Sequence, residues 1–212
     1  MVVIVIIGIL AVLAAPAASA ALDDRRAFDD AGAIMQLFRT ARMRAIARGG
    51  AELVMMTSNG TTDRGTFALY EAVVLDALGG GRSTAASTCK APTVWTPIAT
   101  TNPNIQLIDT ARVRANDQTT FNSYSLSTSL SSTMTTFSAT GSNTGYICYT
   151  PLGRSFASVG TGAMPVFDGL VPTTSPLEIV VQRFDAGSTT VIGTSRSVLV
   201  PPNGMARLFS HL

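Results

Sequence analysis

No charged residue occurs in the first twenty-two positions, and nineteen of these are Ala, Val, Ile, Leu or Met; the exceptions are Gly8, Pro16 and Ser19. A run like this leaves few choices. As a helix rising 1.5 Å per residue it would extend roughly 33 Å, the hydrocarbon thickness of a bilayer. A cleaved signal peptide would carry a basic start and a shorter apolar stretch; Ala18-Ser19-Ala20 looks like its cleavage site, but the basic start is missing. A buried helix of a soluble domain rarely stays uncharged for so long. The run therefore reads as a membrane-length helix. The side chains expected to face lipid or packed neighbours are Val2, Val3, Ile4, Val5, Ile6, Ile7, Gly8, Ile9, Leu10, Val12, Leu13 and Pro16.

The next stretch changes character with no turn signal between. Residues 23–48 hold Asp23, Asp24, Asp29 and Asp30 toward their start, and Arg39, Arg42, Arg44 and Arg48 toward their end, with Arg25 and Arg26 among the acids. From Gly49 onward nine basic and nine acidic residues cancel, so the net charge of +2 lies here. Acids early and Arg late suit the helix macrodipole. Ala27, Phe28, Ala31, Ile34, Met35, Phe38, Ala41, Ala45 and Ile46 fall in one arc of about 140°, with Arg42 intruding. Arg25 with Asp29, and Arg26 with Asp30, sit at i,i+4 and are expected to pair along the opposite face. Gly49-Gly50 can supply the positive φ that stops a helix. The two stretches thus read as one helix of about 48 residues, about 70 Å long.

After Gly50 the period changes. Residues 52–57 and 65–74 read as strands joined at Asn59-Gly60, a hairpin signal. Further strands are expected at 104–113, 119–126, 134–140, 146–149, 177–184 and 191–200, with Gly79-Gly80-Gly81 and residues 171–176 as connections. Disorder is excluded by composition, which is 46% hydrophobic and 13% charged with a mean hydropathy of +0.32. Residues 119–144 contain sixteen Ser or Thr in twenty-six. Such a bias fits a linker, but Tyr124, Leu126, Leu130 and Met134 keep an even spacing, so exposed strands are preferred.

The opening Met1-Val-Val-Ile-Val-Ile-Ile-Gly8-Ile-Leu-Ala-Val-Leu-Ala-Ala-Pro16 resembles the N-terminal segment of type IV pilins and type II secretion pseudopilins, with Gly8 and Pro16 at the family's spacing. In that family the prepilin-peptidase site, the methylated first residue and a glutamate would fall upstream of Met1, the glutamate two residues before it. Three shorter segments resemble the H-type pseudopilin and FimT-like subgroup: the helix-to-strand junction from Leu37 through Arg42 and Ile46 to Val54, the strand and Pro-x-Gly turn around Cys148, Pro151, Gly153 and Arg154, and a last strand with a glycine turn from Arg196 through Pro201 and Gly204 to Arg207. The resemblance implies an α+β lollipop. Residues 1–22 would form the membrane or filament-core half of the helix, 23–50 the amphipathic half, and 51–212 a mainly antiparallel, β-rich head. It also implies a segment between Gly8 and Pro16 that can unwind in a filament.

Function follows from the same resemblance as an expectation. The chain would be a structural subunit, single-pass in the inner membrane before assembly and part of a periplasmic or extracellular filament afterwards. Its partners would be copies of itself or other pilins, the prepilin peptidase and the assembly platform. The roles implied are those of pili and secretion filaments: adhesion, motility or protein transport. The alternative is a minor FimT-like pilin that primes assembly or binds DNA. The FimT Gly-Arg-x-Arg pattern keeps only one Arg here, in Gly204-Met205-Ala206-Arg207, so Arg207 is a weak DNA contact and DNA an unfavoured partner. The helix Arg are expected to serve the dipole and neighbouring subunits' acids. A head facing the oxidising side, with two Cys and no competing metal spacing, implies a disulfide between Cys89 and Cys148; two buried free thiols are the other possibility.

Chemistry-bearing patterns are weak. Asp23/Asp24 and Asp29/Asp30 have Arg within reach and read as surface ion pairs rather than acid/base or metal pairs. Residues 79–84 lack the Lys and spacing of a phosphate loop, and Gly160-Thr161-Gly162 lacks a third glycine. The single His, His211, lies at the C-terminus, so neither a Ser–His nucleophile nor a His metal site is expected. No enzymatic activity, cofactor or metal is anticipated.

Overall fold

The computed structural model describes residues 2–57, 63–75, 82–89, 95, 102–114, 122–129, 144–160, 171–172, 176–185 and 191–211. One helix, α1 (Val2–Arg48), is followed by eleven strands: β1 (Glu52–Thr57), β2 (Asp63–Leu75), β3 (Arg82–Ala85), β4 (Ile105–Arg114), β5 (Asn122–Ser129), β6 (Thr144–Tyr149), β7 (Ser155–Gly160), β8 (Val171–Pro172), β9 (Leu177–Asp185), β10 (Val191–Val200) and β11 (Arg207–His211). The protein is α+β, an N-terminal helix packed on mainly antiparallel sheet. α1 is continuous through Gly8 and Pro16 and stops where expected, with Gly49 at φ 66° just after Arg48.

The strands form two sheets. The larger has the order β3-β2-β1-β6-β7-β8, with β4 also on β2; the smaller has the order β11-β10-β9-β5. Every pairing is antiparallel. The strands at 52–57 and 191–200 match the sequence reading, and those at 65–74, 104–113, 119–126, 146–149 and 177–184 differ from it by a few residues at their ends. Corrections are also needed. β3, β7 and β11 were not expected, a two-residue strand, β8, forms inside the supposed connection 171–176, and β11 rather than β10 is the last strand. Asn59-Gly60, Gly79-Gly80-Gly81, Leu130 and the strand expected at 134–140 lie outside the described residues.

Alternation along β1 divides the interior in two. Val54 and Met56 point toward α1, in one core with Phe67, Leu69, Val113, Ile147, Ile179, Val181 and Val198 from both sheets. Leu53 points to the far face of the large sheet, where Tyr70, Tyr146, Ile105 and the fully buried Trp95 form a second cluster. Cys89 and Cys148 are bonded there, Cα atoms 5.8 Å apart, so the pairing expected above is present. It fastens the segment after β3 to β6.

The helix face that enters the first core is turned by about 50° from the expected one, since positions are spaced about 100° apart. Ala27, Ala31, Ile34, Leu37, Phe38, Ala41 and Ala45 are buried, whereas Phe28 and Ile46 are 47% and 45% exposed and Met35 is half-buried. Leu37, omitted from the sequence arc, is part of the core. The cause lies in the polar contacts that flank the helix.

Candidate functional site

The seam between α1 and the head holds most of the polar side-chain contacts that cross from helix to strand. On one flank, Asp24 Oδ2 accepts from Arg196 Nη2 of β10 at 3.0 Å and Oδ1 accepts from the backbone N–H of Thr194 at 3.2 Å. That N–H is spare because the β9–β10 register shifts between Ile192 and Arg196, with Gly193 at φ 73°. The Arg196 guanidinium also lies 5.6 Å from the Phe28 ring centroid, a cation–π contact that accounts for the outward position of Phe28. Asp24 is thus a tether from helix to head, not the intrahelical surface partner that its neighbouring Arg implied.

Two turns close the same flank farther along. Arg39 Nε donates to Ala206 O at 2.8 Å; Arg42 donates to Gly153 O at 3.3 Å and to Asn203 O at 2.9 Å. The hydroxyl of Ser155 donates to Pro202 O, so the turns at 151–153 and 201–206 are joined to each other as well as to the helix. Gly153 is required twice over. Its φ is 71°, and a Cβ there would stand 3.0 Å from Ile46 Cδ1 and 3.2 Å from Arg42 Nη2. Gly204 is held by packing, since a Cβ would lie 2.6 Å from Pro201 Cγ.

The other flank is ionic. Glu52 of β1 and Glu71 of β2 are cross-strand partners, 0% and 1% exposed. Like charges directly opposite destabilise a sheet, and here one guanidinium bridges them: Arg44 Nε is 3.2 Å from Glu52 Oε1 and Nη2 is 2.7 Å from Glu71 Oε2. Arg48 Nε stands 2.8 Å from Glu71 Oε1, an ion contact without hydrogen-bond alignment, and that oxygen and Glu52 Oε2 have no hydrogen-bond partner. Burial, reinforced by the charge of Glu71, pushes the Glu52 carboxyl up to about 8 despite Arg44 and Arg48. On the opposite edge of β1 the Cα partner of Glu52 is Tyr149, whose burial holds its hydroxyl above the ordinary phenol range. Arg39, Arg42, Arg44 and Arg48 therefore contact this chain's own head. Both the turn carbonyls and the Glu partners in the strands were unforeseen; the signal for the glutamates was a Glu opening the first strand and another inside the apolar run of the second.

The other expected sites are placed as follows. α1 includes Val2, Val3, Ile4, Val5, Ile6, Ile7, Gly8, Ile9, Leu10, Val12, Leu13 and Pro16 as helix. Val3, Ile6 and Ile7 are 67%, 51% and 60% exposed, and the other nine side chains lie outside the described residues. Among the described residues no helix is long and apolar enough to cross a membrane. Arg207 is exposed at the start of β11. No three His, Cys, Asp or Glu among the described residues are grouped to hold a metal ion. The chain matches no family model, no curated protein and no solved structure.

Proposed function

We propose that this chain is an assembling subunit of the pilin or pseudopilin class, which polymerises through the apolar half of α1 into a type IV pilus or a type II secretion-like filament. The observation that carries the reading is the division of α1. From Ala27 onward its apolar face is buried in the head. Before Ala27 every described side chain is exposed apart from half-buried Asp24, and these include Val3, Ile6, Ile7 and Leu22. Exposed large apolar residues on an uncharged helical run need lipid or other helices around them. The sequence resemblance supplies both in turn, the inner membrane before assembly and neighbouring subunits after it, and a long helix on a β-rich head is the lollipop layout it implies.

The DNA-binding alternative has less support. Arg39, Arg42 and Arg44 are bonded within the chain, and Gly204 has a packing reason to be glycine. The test is to express the full chain with its assembly machinery, collect surface filaments and determine their protein content. Filaments made mainly of this chain are the expected result. A chain that stays in the membrane fraction with no filament, under conditions where the machinery assembles another pilin, would overturn the reading.

A further inference from the structure

The ionic flank of the seam contains more negative oxygen than it has donors placed to satisfy. Glu52 and Glu71 face the same side of the large sheet as Val54, Leu69 and Ile147, beneath the last turns of α1. Arg44 takes one oxygen from each carboxyl, and the two oxygens left over, Glu52 Oε2 and Glu71 Oε1, are buried with no hydrogen-bond partner. Residues directly opposite in an antiparallel pair have Cβ atoms about 4.5–5.5 Å apart, close enough for a carboxyl to donate to a carboxylate. A single proton between the leftover oxygens would satisfy both at once. We propose that Glu52 carries that proton and donates it to Glu71, so that the two acids beneath the last turns of α1 form a proton-held pair that supports the fold while Glu52 is neutral and weakens it when Glu52 ionises.

Among the described residues, the charged and titratable neighbours fit this assignment. From α1, Arg44 contacts both acids and Arg48 contacts Glu71; from β2, Glu71 is the acceptor; from β6, Tyr149 is the Cα partner of Glu52, keeps its proton through burial, and has Arg42 near it. Arg48 is 55% exposed, so its hold on Glu71 is screened by water. Two guanidiniums stand against Glu71, whereas Glu52 is touched by Arg44 through one oxygen, so the proton is assigned to Glu52. On ionisation the proton leaves to solvent, and two buried carboxylates then face each other across β1 and β2. Arg44 still reaches one oxygen of each, but the hydrogen bond between the two acids is gone and their repulsion beneath the last turns of α1 destabilises the fold.

The direction with pH is fixed by linkage. Glu52 titrates near its ordinary 4.5 in the unfolded chain and at about 8 in the folded one. Its contribution to stability is full below 4.5 and is lost as pH rises through that window to about 8, the folding constant falling by up to about tenfold per pH unit.

The test uses the full chain in detergent micelles. In the wild type, the infrared carboxylic-acid band and a carbon-13 carboxyl titration should place one protonated Glu at pH 6.5, absent in Glu52→Gln. Glu52→Gln mimics the neutral acid at every pH, so it should match the wild-type unfolding midpoint near pH 4, unfold above it at pH 6, and remove the loss of stability between pH 4.5 and pH 8. Glu71→Gln removes the charged partner of Arg44 and Arg48 and should lower the midpoint across the whole range. A Glu52 carboxyl that ionises near pH 4 to 5 would overturn the proposal. So would a Glu52→Gln variant destabilised at pH 6 as much as Glu71→Gln; if neither variant folds, the wild-type titration decides alone.

Discussion

The two halves of α1 obey the same backbone geometry and differ in what their described side chains meet. The N-terminal half is built of Val and Ile with an uncharged surface, and its described side chains are exposed. Downstream the half-helix that meets the head uses Ala at 27, 31, 41 and 45, all buried, with Ile34, Leu37 and Phe38 between them. Small side chains let the helix axis approach the sheets closely, and a few large ones fill the remaining space. The contrast teaches that the head buries none of the described side chains before Ala27 except, in part, Asp24. An uncharged helix satisfies its own backbone groups and leaves its side chains free for an apolar surrounding, whereas the second half is fixed by side-chain contacts on both flanks.

The largest effect on assembly should therefore come from a charge in the half whose described side chains are exposed. Ile6→Arg places a guanidinium on a half-exposed apolar position, at a cost of about 2 to 3 kcal/mol for each subunit in lipid or in a bundle of helices. Filament yield, counted by electron microscopy, should fall to background while the thermal unfolding of the head is unchanged. Wild-type yield would break the comparison. Next come the two phenylalanines of the docked half. Phe38 is 1% exposed and edge-on to Phe67 at 6.3 Å between centroids, so Phe38→Ala should destabilise by about 3 to 5 kcal/mol in denaturant unfolding. Phe28→Ala removes an exposed ring over Arg196 and should cost about 0.5 to 1 kcal/mol.

That pair also marks how far the sequence could be read. The helix, its glycine stop and seven strands were legible because hydrophobic period and turn residues act locally. Which side of the helix is buried was legible only to about 50°: Phe28 and Ile46 are apolar and fit the arc, yet Arg196 draws one to the surface and the turn at Gly153 holds the other at its edge. These partners lie far along the chain, and no local pattern announces them. Strands β3, β7 and β11 were missed for a related reason, since Arg82-Ser-Thr-Ala, Ser155-Phe-Ala-Ser-Val-Gly and Arg207-Leu-Phe-Ser-His hold few large apolar residues and gain their order from the strand alongside. The Arg of the helix were visible as a cluster; their partners, mostly backbone carbonyls and two buried glutamates, were not.

Away from the helix, the cluster on the far face of the large sheet offers a control. Cys89 and Cys148 are separated by 59 residues and are 2% and 0% exposed. Replacing both by Ser should lower stability by about 4 kcal/mol on the chain-entropy account, in a region that α1 does not touch. Filament yield at low temperature should fall less than for Ile6→Arg. Alkylation of the denatured, unreduced wild type should find no thiol, and two reactive thiols would refute the bond.

The finest comparison is between two glycines that share a backbone conformation and differ in surroundings. Gly49 and Gly153 have φ of 66° and 71°, and placing an L side chain in that region costs roughly 1 to 2 kcal/mol whatever lies nearby. Around Gly49 a Cβ would meet nothing within 4 Å, whereas at Gly153 it would press on Ile46 Cδ1 at 3.0 Å and on the Arg42 guanidinium. Ile46 is at the exposed edge of the helix and its end can turn away, but Arg42 cannot move without loosening its bonds to Gly153 O and Asn203 O. Gly49→Ala should thus cost about 1 kcal/mol, while Gly153→Ala should cost more than that and make the last two turns of α1 exchange amide hydrogens faster. Equal losses at the two positions would mean that Arg42 contributes little to docking, and that the helix is held to the head by its apolar face and its other polar contacts, those of Asp24, Arg39 and Arg44.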